Sequence, residues 1–366
     1  MLKLQHCRSR HARLLRICQE RRLDAVVVGL PQHVYYFSGH LPFWLHTPAW
    51  LIFADGRSCL VSADRAVEKV VADECRPYPA QASATQRQEQ PLEAAKVVDE
   101  LLREHRAQRI GVDASLPTSQ LALLRPGGCE AIDEPLWQLR RQKDPDELEL
   151  MRQAIACTVA MYDEARRILS PGISEIEVFA ALHRAAVVAA GEPLSALLGN
   201  DFAAGVPGGP AKLSRQARAG QIYILDLGPC YRGYFADNCR AFAVDGKPTD
   251  EQLQACDILL GVFPIVEKMA RVGVRCRDIH AAVSDYYRSR CGRELPHHLG
   301  HGVGLQPHEF PHLNTHWDDV LLENEVFTVE PGIYAPSLEG GIRIENNYRV
   351  RADGVESLLQ YPMHLA

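Results

Sequence analysis

The sequence predicts two domains, an α/β N-terminal domain over residues 1–140 followed by an α+β domain over residues 145–366. Three observations carry this. At 366 residues the chain is too long for one ordinary core, and each half is large enough to bury its own apolar surface. The stretch Leu139–Glu147, LRRQKDPDE, is mostly charged and contains one proline, the composition of an exposed connector leading into a helix. Before it, short strands alternate with helices; after it, the layout is helices, hairpin, helices, hairpin.

In order, Arg8–Arg22 reads as a helix and the valine-rich Asp24–Gly29 as a buried strand. Val34–Phe37, Ala49–Phe53 and Ser58–Val61 read as further strands, Arg65–Cys75 and Leu92–His105 as helices, and Arg109–Asp113 as a strand. Past the connector, an amphipathic helix over Asp146–Leu169 stops at Ser170-Pro171-Gly172, because proline cannot continue a helix and glycine turns freely. Ser174 and Glu177 form a capping box for a helix reaching Ala190. The strand pair Ile222–Asp226 and Tyr234–Val244 precedes helices over Thr249–Arg271 and Arg277–Arg290, and Val326–Glu330 with Gly341–Val350 supply the second strand set. The two halves of this domain look alike in layout, without a sequence repeat.

With 46% hydrophobic and 23% charged residues the chain is globular in composition, and a formal charge of -6 leaves no basic surplus to mark a nucleic-acid binder. Met1–Arg10 is basic without an apolar segment behind it, and apolar runs such as Ala25–Leu30 are too short to span a bilayer, so a cytoplasmic protein without membrane attachment is expected. The 11 cysteines include no Cys-x-x-Cys pair, which argues for reduced, buried thiols over disulfides or a thiolate metal site.

The chemistry concentrates in the second domain. In ILDLGPCYRGYFAD, Asp226 ends an apolar strand and Asp237 lies on the returning one, with Gly228 and Gly233 freeing the backbone to turn. Taken singly, such an aspartate is more often a turn residue or helix cap. A carboxylate flanked by Ile224, Leu225 and Phe235, however, is expensive to bury unless a cation neutralises it. His301 sits in HHLGHGVGL between His297 and His308, with Leu299, Val303 and Leu305 interleaved, the pattern of an ordered, partly buried segment as against a His-rich surface. Glu330, after the apolar VFTV, and Glu345, in GGIRIEN, are again carboxylates inside β-type runs, where an outward-facing side chain is the commoner outcome for either one alone. Together, four carboxylates and one imidazole form a hard, oxygen-rich set suited to two divalent ions, manganese first, with cobalt, zinc or iron as alternatives.

The blocks DLGPCYRGYFAD, GHGVGLQPHEFP, EPGIY and GGIRIEN, in this order and spacing, resemble the signature blocks of the M24 metallopeptidases, especially prolidases and aminopeptidase P. LDAVVVGLPQHVYYFSG resembles the start of the creatinase-type N-terminal domain that precedes their pita-bread catalytic domain, so the likeness spans nearly the whole chain. By position, the resemblance implies that Asp226 binds one metal, that His301 and Glu330 bind the other, and that Asp237 and Glu345 bridge the two. It further implies that metal-activated hydroxide cleaves the peptide bond before proline in a small peptide, with Glu330 taking the water's proton. His308 would donate to the carbonyl oxygen or tetrahedral intermediate, His297 would shape the substrate pocket, and Tyr334 and Arg343 would support the ligands. A homodimer is the family default.

The sequence also departs from the family. A histidine that commonly precedes the first metal aspartate by about seventeen residues is missing from AAGVPGGPAKLSR, where Pro207 is followed by Gly208 and Gly209. Cys239 stands where a threonine is usual, and Asn346 where an aspartate often follows the last glutamate. Metal binding is expected to survive, with activity toward standard Xaa-Pro peptides reduced or redirected. The competing readings are a C–N hydrolase acting on a small metabolite, and a weakly active or non-catalytic member of the fold. In HLPFWLHTPAW, residues 40–50, Phe43, Trp44, His46 and Trp50 are candidates to cover the site, their own or a neighbouring subunit's, against the alternative of ordinary core and loop aromatics.

Overall fold

A computed structural model describes residues 1–63, 69–194 and 196–365. The chain divides into two compact units, Met1–Arg140 and Arg141–Ala366. In the first, helix α1 (Leu4–Arg21) leads into strand β1 (Ala25–Val28), and helix α2 (Pro31–Ser38) into β2 (Ala49–Phe53) and β3 (Ser58–Ser62). Strand β4 (Glu74–Pro77), helix α3 (Gln90–Glu104), strand β5 (Ile110–Val112), helix α4 (Leu116–Leu124), strand β6 (Cys129–Ala131) and helix α5 (Asp133–Arg141) follow. The strands form one mixed sheet in the order β4-β3-β2-β1-β5-β6, with β1 antiparallel to β2 and parallel to β5. Ala25, Val27, Leu51 and Val61 from the sheet meet Ala94, Val98 and Leu101 of α3 in its core. Fully burying each large aliphatic side chain contributes about 1.5–3 kcal/mol.

Several local expectations give way here. Val34–Phe37 is helical: Pro31 occupies the first turn, where its missing N–H costs nothing, and Gly39 closes the helix at φ 76°. The N-terminus of α2 is held by a distant anion, since the Asp113 carboxylate accepts from the backbone N–H groups of Gly29 and Leu30 and pairs with His33 Nδ1 at 2.8 Å. The helix expected over Arg65–Cys75 falls partly on residues 64–68, outside the described residues; its described end carries Cys75 in β4. No element was expected for α4, β6 or α5. Trp50 is core, fully buried and stacked on Phe37 at 5.2 Å, whereas Phe43 and Trp44 are exposed.

In the second unit, helices α6 (Pro145–Ile168) and α7 (Glu175–Ala190) precede strand β7 (Ala196–Ala204). The capping box of Ser174 and Glu177 forms as the sequence predicts. Strand β8 (Ile222–Tyr231) is the spine of the first sheet and pairs with β7, β9 (Tyr234–Phe235) and β10 (Asn238–Ala243). Alternation sends Tyr223 and Leu225 into a core with α6 and α7, and Ile222 and Ile224 into another with the later helices, so β8 is buried on both faces. The helix expected over Thr249–Arg271 is two, α8 (Asp250–Leu260) and α9 (Val262–Met269). Pro264 cannot donate to the Leu260 carbonyl, and a Cβ at Gly261 would lie 1.9 Å from the Tyr286 hydroxyl of helix α10 (Cys276–Cys291).

The second sheet runs β12-β11-β13-β16-β17, where β11 is Gly300–Gly302, β12 Glu309–Leu313, β13 Val326–Val329, β16 Asn346–Arg351 and β17 Gly354–Ser357. A separate ribbon pairs β14 (Gly332–Ala335) with β15 (Gly340–Arg343). The stretch 139–147 is no exposed connector: Arg140, Arg141, Lys143, Asp146 and Glu147 are buried. Arg141 holds Glu325 with Nε 2.5 Å from Oε1, Lys143 holds Glu309 at 2.6 Å, and Glu147 accepts from the Tyr234 hydroxyl. Burying these charges requires such partners, and the partners lie far along the chain.

Candidate metal centre

Five carboxylate and imidazole side chains converge between the two sheets of the second unit. Asp226 does not end its strand but sits within β8, at a register shift between residues 226 and 227, on the same face as Ile222 and Ile224. The reversal that follows is made by Arg232 and Gly233 at φ 47° and 86°, while Gly228 stays in the strand. Asp237 lies between β9 and β10 and is held by the Asn347 side-chain amide, whose Nδ2 donates to the Asp237 carbonyl at 2.8 Å. Glu345, between β15 and β16, donates its N–H to the Cys239 carbonyl at 2.9 Å. Glu330 follows β13 and donates its N–H to Leu299.

His301 occupies β11, buried, between two glycines that the packing requires. A Cβ at Gly300 would meet the Thr328 carbonyl oxygen at 2.0 Å, and one at Gly302 the Phe310 carbonyl oxygen at 1.8 Å. His301 Nδ1 lies 2.9 Å from the Gly302 carbonyl oxygen, which only accepts, so Nδ1 carries the proton and Nε2 is turned to the carboxylates. Nε2 is 3.3 Å from Glu330 Oε1 and 3.7 Å from Asp237 Oδ2.

Ligand-competent atoms fall into overlapping groups, each within 4.8 Å: Asp226, Asp237 and Glu345; His301, Glu330 and Glu345; Asp237, His301 and His308. Asp226 Oδ1 and Glu345 Oε2 are buried without a hydrogen-bond partner. Burial pushes the Asp226 carboxyl up to about 6, with the charges of Glu330 and Asp201 adding to it and Arg343 opposing. Burial and neighbouring carboxylates raise Asp237 and Glu345 well above the usual range. Burial works against ionising Glu330 too, yet the bond and charge of His301 hold it down to about 2. Such crowding of buried carboxylates, two with unmatched oxygens, fits divalent cations, which replace the protons and the His301 charge that otherwise relieve it.

The remaining predicted residues divide. Arg343 donates from Nη2 to Asp226 Oδ2 at 2.7 Å and from Nη1 to the Tyr334 hydroxyl at 2.9 Å. His297 Nδ1 lies 2.8 Å from the His298 carbonyl oxygen, which leaves Nε2 to accept from the Tyr334 hydroxyl at 3.1 Å. His297 is therefore engaged in the Tyr334–Arg343 chain. His308 stacks on His301 with centroids 3.6 Å apart and remains exposed, open to a substrate. Cys239 faces Asp226 across the β8–β10 ladder, and Asn346 accepts from Arg240 Nη2 at 2.8 Å.

Two neighbours escaped the sequence reading. His298 Nδ1 lies 3.6 Å from Glu330 Oε1; its place in a run of histidines hid it. Asp201 of β7 pairs with Arg343, and nothing in the local sequence signals it, because its position opposite Asp226 depends on strand register. At the segment without histidine, a Cβ on Gly208 would lie 2.9 Å from Asp201 Oδ1, and Gly209 has φ 121°.

A sequence model of metallopeptidase family M24 matches residues 149–352, and one of the creatinase/prolidase N-terminal domain matches residues 10–141. An Xaa-Pro dipeptidase of Pyrococcus furiosus is 26% identical over 359 residues, 96% of this chain and 97% of that one. In fold, the chain resembles an Xaa-Pro dipeptidase from Bacillus anthracis (TM-score 0.83, 23% identity, covering 98% of this chain and 99% of that one). It likewise resembles an X-Pro aminopeptidase from Thermotoga maritima (TM-score 0.80, 24% identity, 97% and 98% covered). These likenesses carry the architecture, a creatinase-type α/β domain followed by a pita-bread catalytic domain.

Proposed function

The chain belongs to metallopeptidase family M24, and on that premise we propose that it is a dinuclear metal-dependent Xaa-Pro peptidase, a dipeptidase or aminopeptidase, acting on small peptides. The observation that carries this reading is the pair of ligand groups sharing Glu345, with buried unpartnered oxygens on Asp226 and Glu345. Asp226, Asp237 and Glu345 would hold one ion, and His301, Glu330 and Glu345 the other, with Asp237 reaching toward His301. Manganese suits this oxygen-rich set with its single imidazole, ahead of cobalt, zinc or iron. When bound, the ions supply a nucleophilic water at neutral pH and charge for the developing oxyanion.

The protein's own groups do the rest. Glu330, ionised as a metal ligand, would accept the water's proton at a carboxylate oxygen. His308, exposed beside His301, presents a ring N–H to the carbonyl oxygen of the scissile bond. Arg343 and Tyr334 fix Asp226 and the His297 ring, so that the ligands are pre-oriented. We place the protein in the cytoplasm as a homodimer, a state that gel filtration with light scattering reads directly. Among the described residues, no helix is long and apolar enough to cross a membrane.

Metal analysis of the purified protein, together with Xaa-Pro dipeptides, Xaa-Pro tripeptides and non-proline controls, tests the proposal. Two bound ions and proline-dependent cleavage are expected; no metal and no hydrolysis after manganese loading defeats it. The glycine segment 205–209, without a histidine, favours a second reading, a small-metabolite C–N hydrolase. Bound metal with hydrolysis of only non-proline amides would select that reading.

A further inference from the structure

Asp201 stands directly opposite Asp226 in the β7–β8 pairing, at the residue where the register shifts. Two like charges across a ladder repel, and between these two lies the guanidinium of Arg343, whose Nη2 donates to both Asp226 Oδ2 and Asp201 Oδ2. The other Asp201 oxygen accepts the Gly209 N–H at 2.5 Å. Gly208 passes so close to that oxygen that a side chain there would displace it. The three charged side chains are nearly dehydrated, with relative exposures of 15% for Asp201 and 9% for both Arg343 and Asp226, so their charges act on each other at strength.

We propose that Asp201 is a positioning residue for the metal centre: it neutralises Arg343 and holds it on one oxygen of Asp226, leaving Asp226 Oδ1 charged, unpartnered and free for a cation. Four carboxylates balance two divalent ions in charge, so an uncompensated guanidinium touching a ligand would add a repulsive charge. Asp201 cancels it, and Arg343 can then orient Asp226 without competing for its charge. The glycine pair follows from the same arrangement, since a small backbone at residues 208–209 lets the carboxylate accept Gly209 N–H and reach Arg343 together. This rests on the dinuclear reading above.

The test is calorimetric titration of chelator-stripped protein with manganese, comparing wild type, Asp201→Asn, Arg343→Gln and the double variant. Asp201→Asn, nearly isosteric and still able to accept from Gly209, is expected to weaken binding by about 10–100-fold, the usual effect of losing a partner behind a ligand. In the Arg343→Gln background the same change is expected to have no further effect, because the charge it leaves uncompensated is gone. Asp201→Glu, which keeps the charge, is expected to bind more tightly than Asp201→Asn; if the asparagine variant does not fold, near-wild-type affinity in the glutamate variant supports the proposal and a loss of about 10–100-fold overturns it. Wild-type affinity in Asp201→Asn, or equal losses in both arginine backgrounds, overturns the proposal while leaving the metal centre intact. Glutamate weakening binding as much as asparagine overturns it too. A wild-type protein that binds no manganese removes the dinuclear reading and this inference together.

Discussion

Replacing Arg141 with methionine tests how far a residue from an apparent surface connector governs the strand that delivers Glu330. Arg141 grips Glu325 with Nε 2.5 Å from Oε1 and Nη2 3.2 Å from Oε2, and Nη2 also donates to the Val320 carbonyl at 2.7 Å. The Glu325 side chain has no exposure, and β13 begins at the next residue. Removing the arginine leaves the carboxylate the Leu322 N–H, which donates to Oε2 at 2.8 Å. Breaking one side of such a buried pair costs about 3–5 kcal/mol. At about 2–4 °C per kcal/mol for a unit of this size, Arg141→Met should lower the melting temperature of the Arg141–Ala366 unit by about 10 °C in scanning calorimetry of the full chain. Burial raises the Glu325 carboxyl already, and Arg141 opposes the rise. Without Arg141 its folded pKa climbs further above the unfolded value, so stability is lost as pH rises through it, and the deficit should be larger at pH 8 than at pH 5. A second substitution, Glu325→Leu, should recover much of the loss. A drop of under about 2 °C for Arg141→Met, or a double variant less stable than the single one, would refute the reasoning.

Glu330→Gln should cut peptide turnover by about 10²–10⁴-fold, read by steady-state kinetics on a manganese-loaded sample whose metal content is measured in parallel. Stripping the protein with a chelator should abolish turnover and lower its melting temperature, and manganese at a hundredfold excess over Kd should return about 2.7 kcal/mol; an unchanged melting curve would contradict a metal that bridges both sheets. Placing histidine at Gly208 or Gly209 should not raise Xaa-Pro turnover, because the first pushes into Asp201 and the second takes a backbone suited to glycine, each costing about 1–3 kcal/mol by urea denaturation; a gain in kcat/KM would count against this. In the first unit, burial pushes the Asp113 carboxyl up, but His33, Leu30 and Gly29 outweigh it and the net shift is down. Its contribution is therefore present above the unfolded carboxyl pKa of about 4 and lost as pH falls through the folded value, and Asp113→Asn should flatten urea-measured stability against pH in that acid range.

The candidate ligands were legible because each breaks an apolar β pattern with a charge. Asp226 after Ile224-Leu225 and Glu330 after VFTV are expensive residues in those places, whatever their neighbours. The capping box at Ser174 was legible for the opposite reason, since its partners sit three residues apart. What local reading missed depends on distant partners. The valine and aromatics of α2 favour a strand, and the anion at its N-terminus lies some 80 residues away. Arg141 and Lys143 look solvated until Glu325 and Glu309 arrive from 184 and 166 residues further on. Asp201 is harder still, because its role rests on a strand register that no local pattern encodes.

The five candidate ligand side chains hang from chain segments spread between residues 226 and 345, and one core packs Ile222 and Ile224 of the first sheet with Phe327 and Val329 of the second. The His301–Glu330–Glu345 group lies within the second sheet, but the Asp226–Asp237–Glu345 group needs both, so a two-ion centre would be complete only once both sheets are in place. Binding of two ions would thereby report that both sheets are correctly assembled. A chain with its first sheet misregistered would lose the Asp226–Asp237–Glu345 group, and with it the two-ion centre.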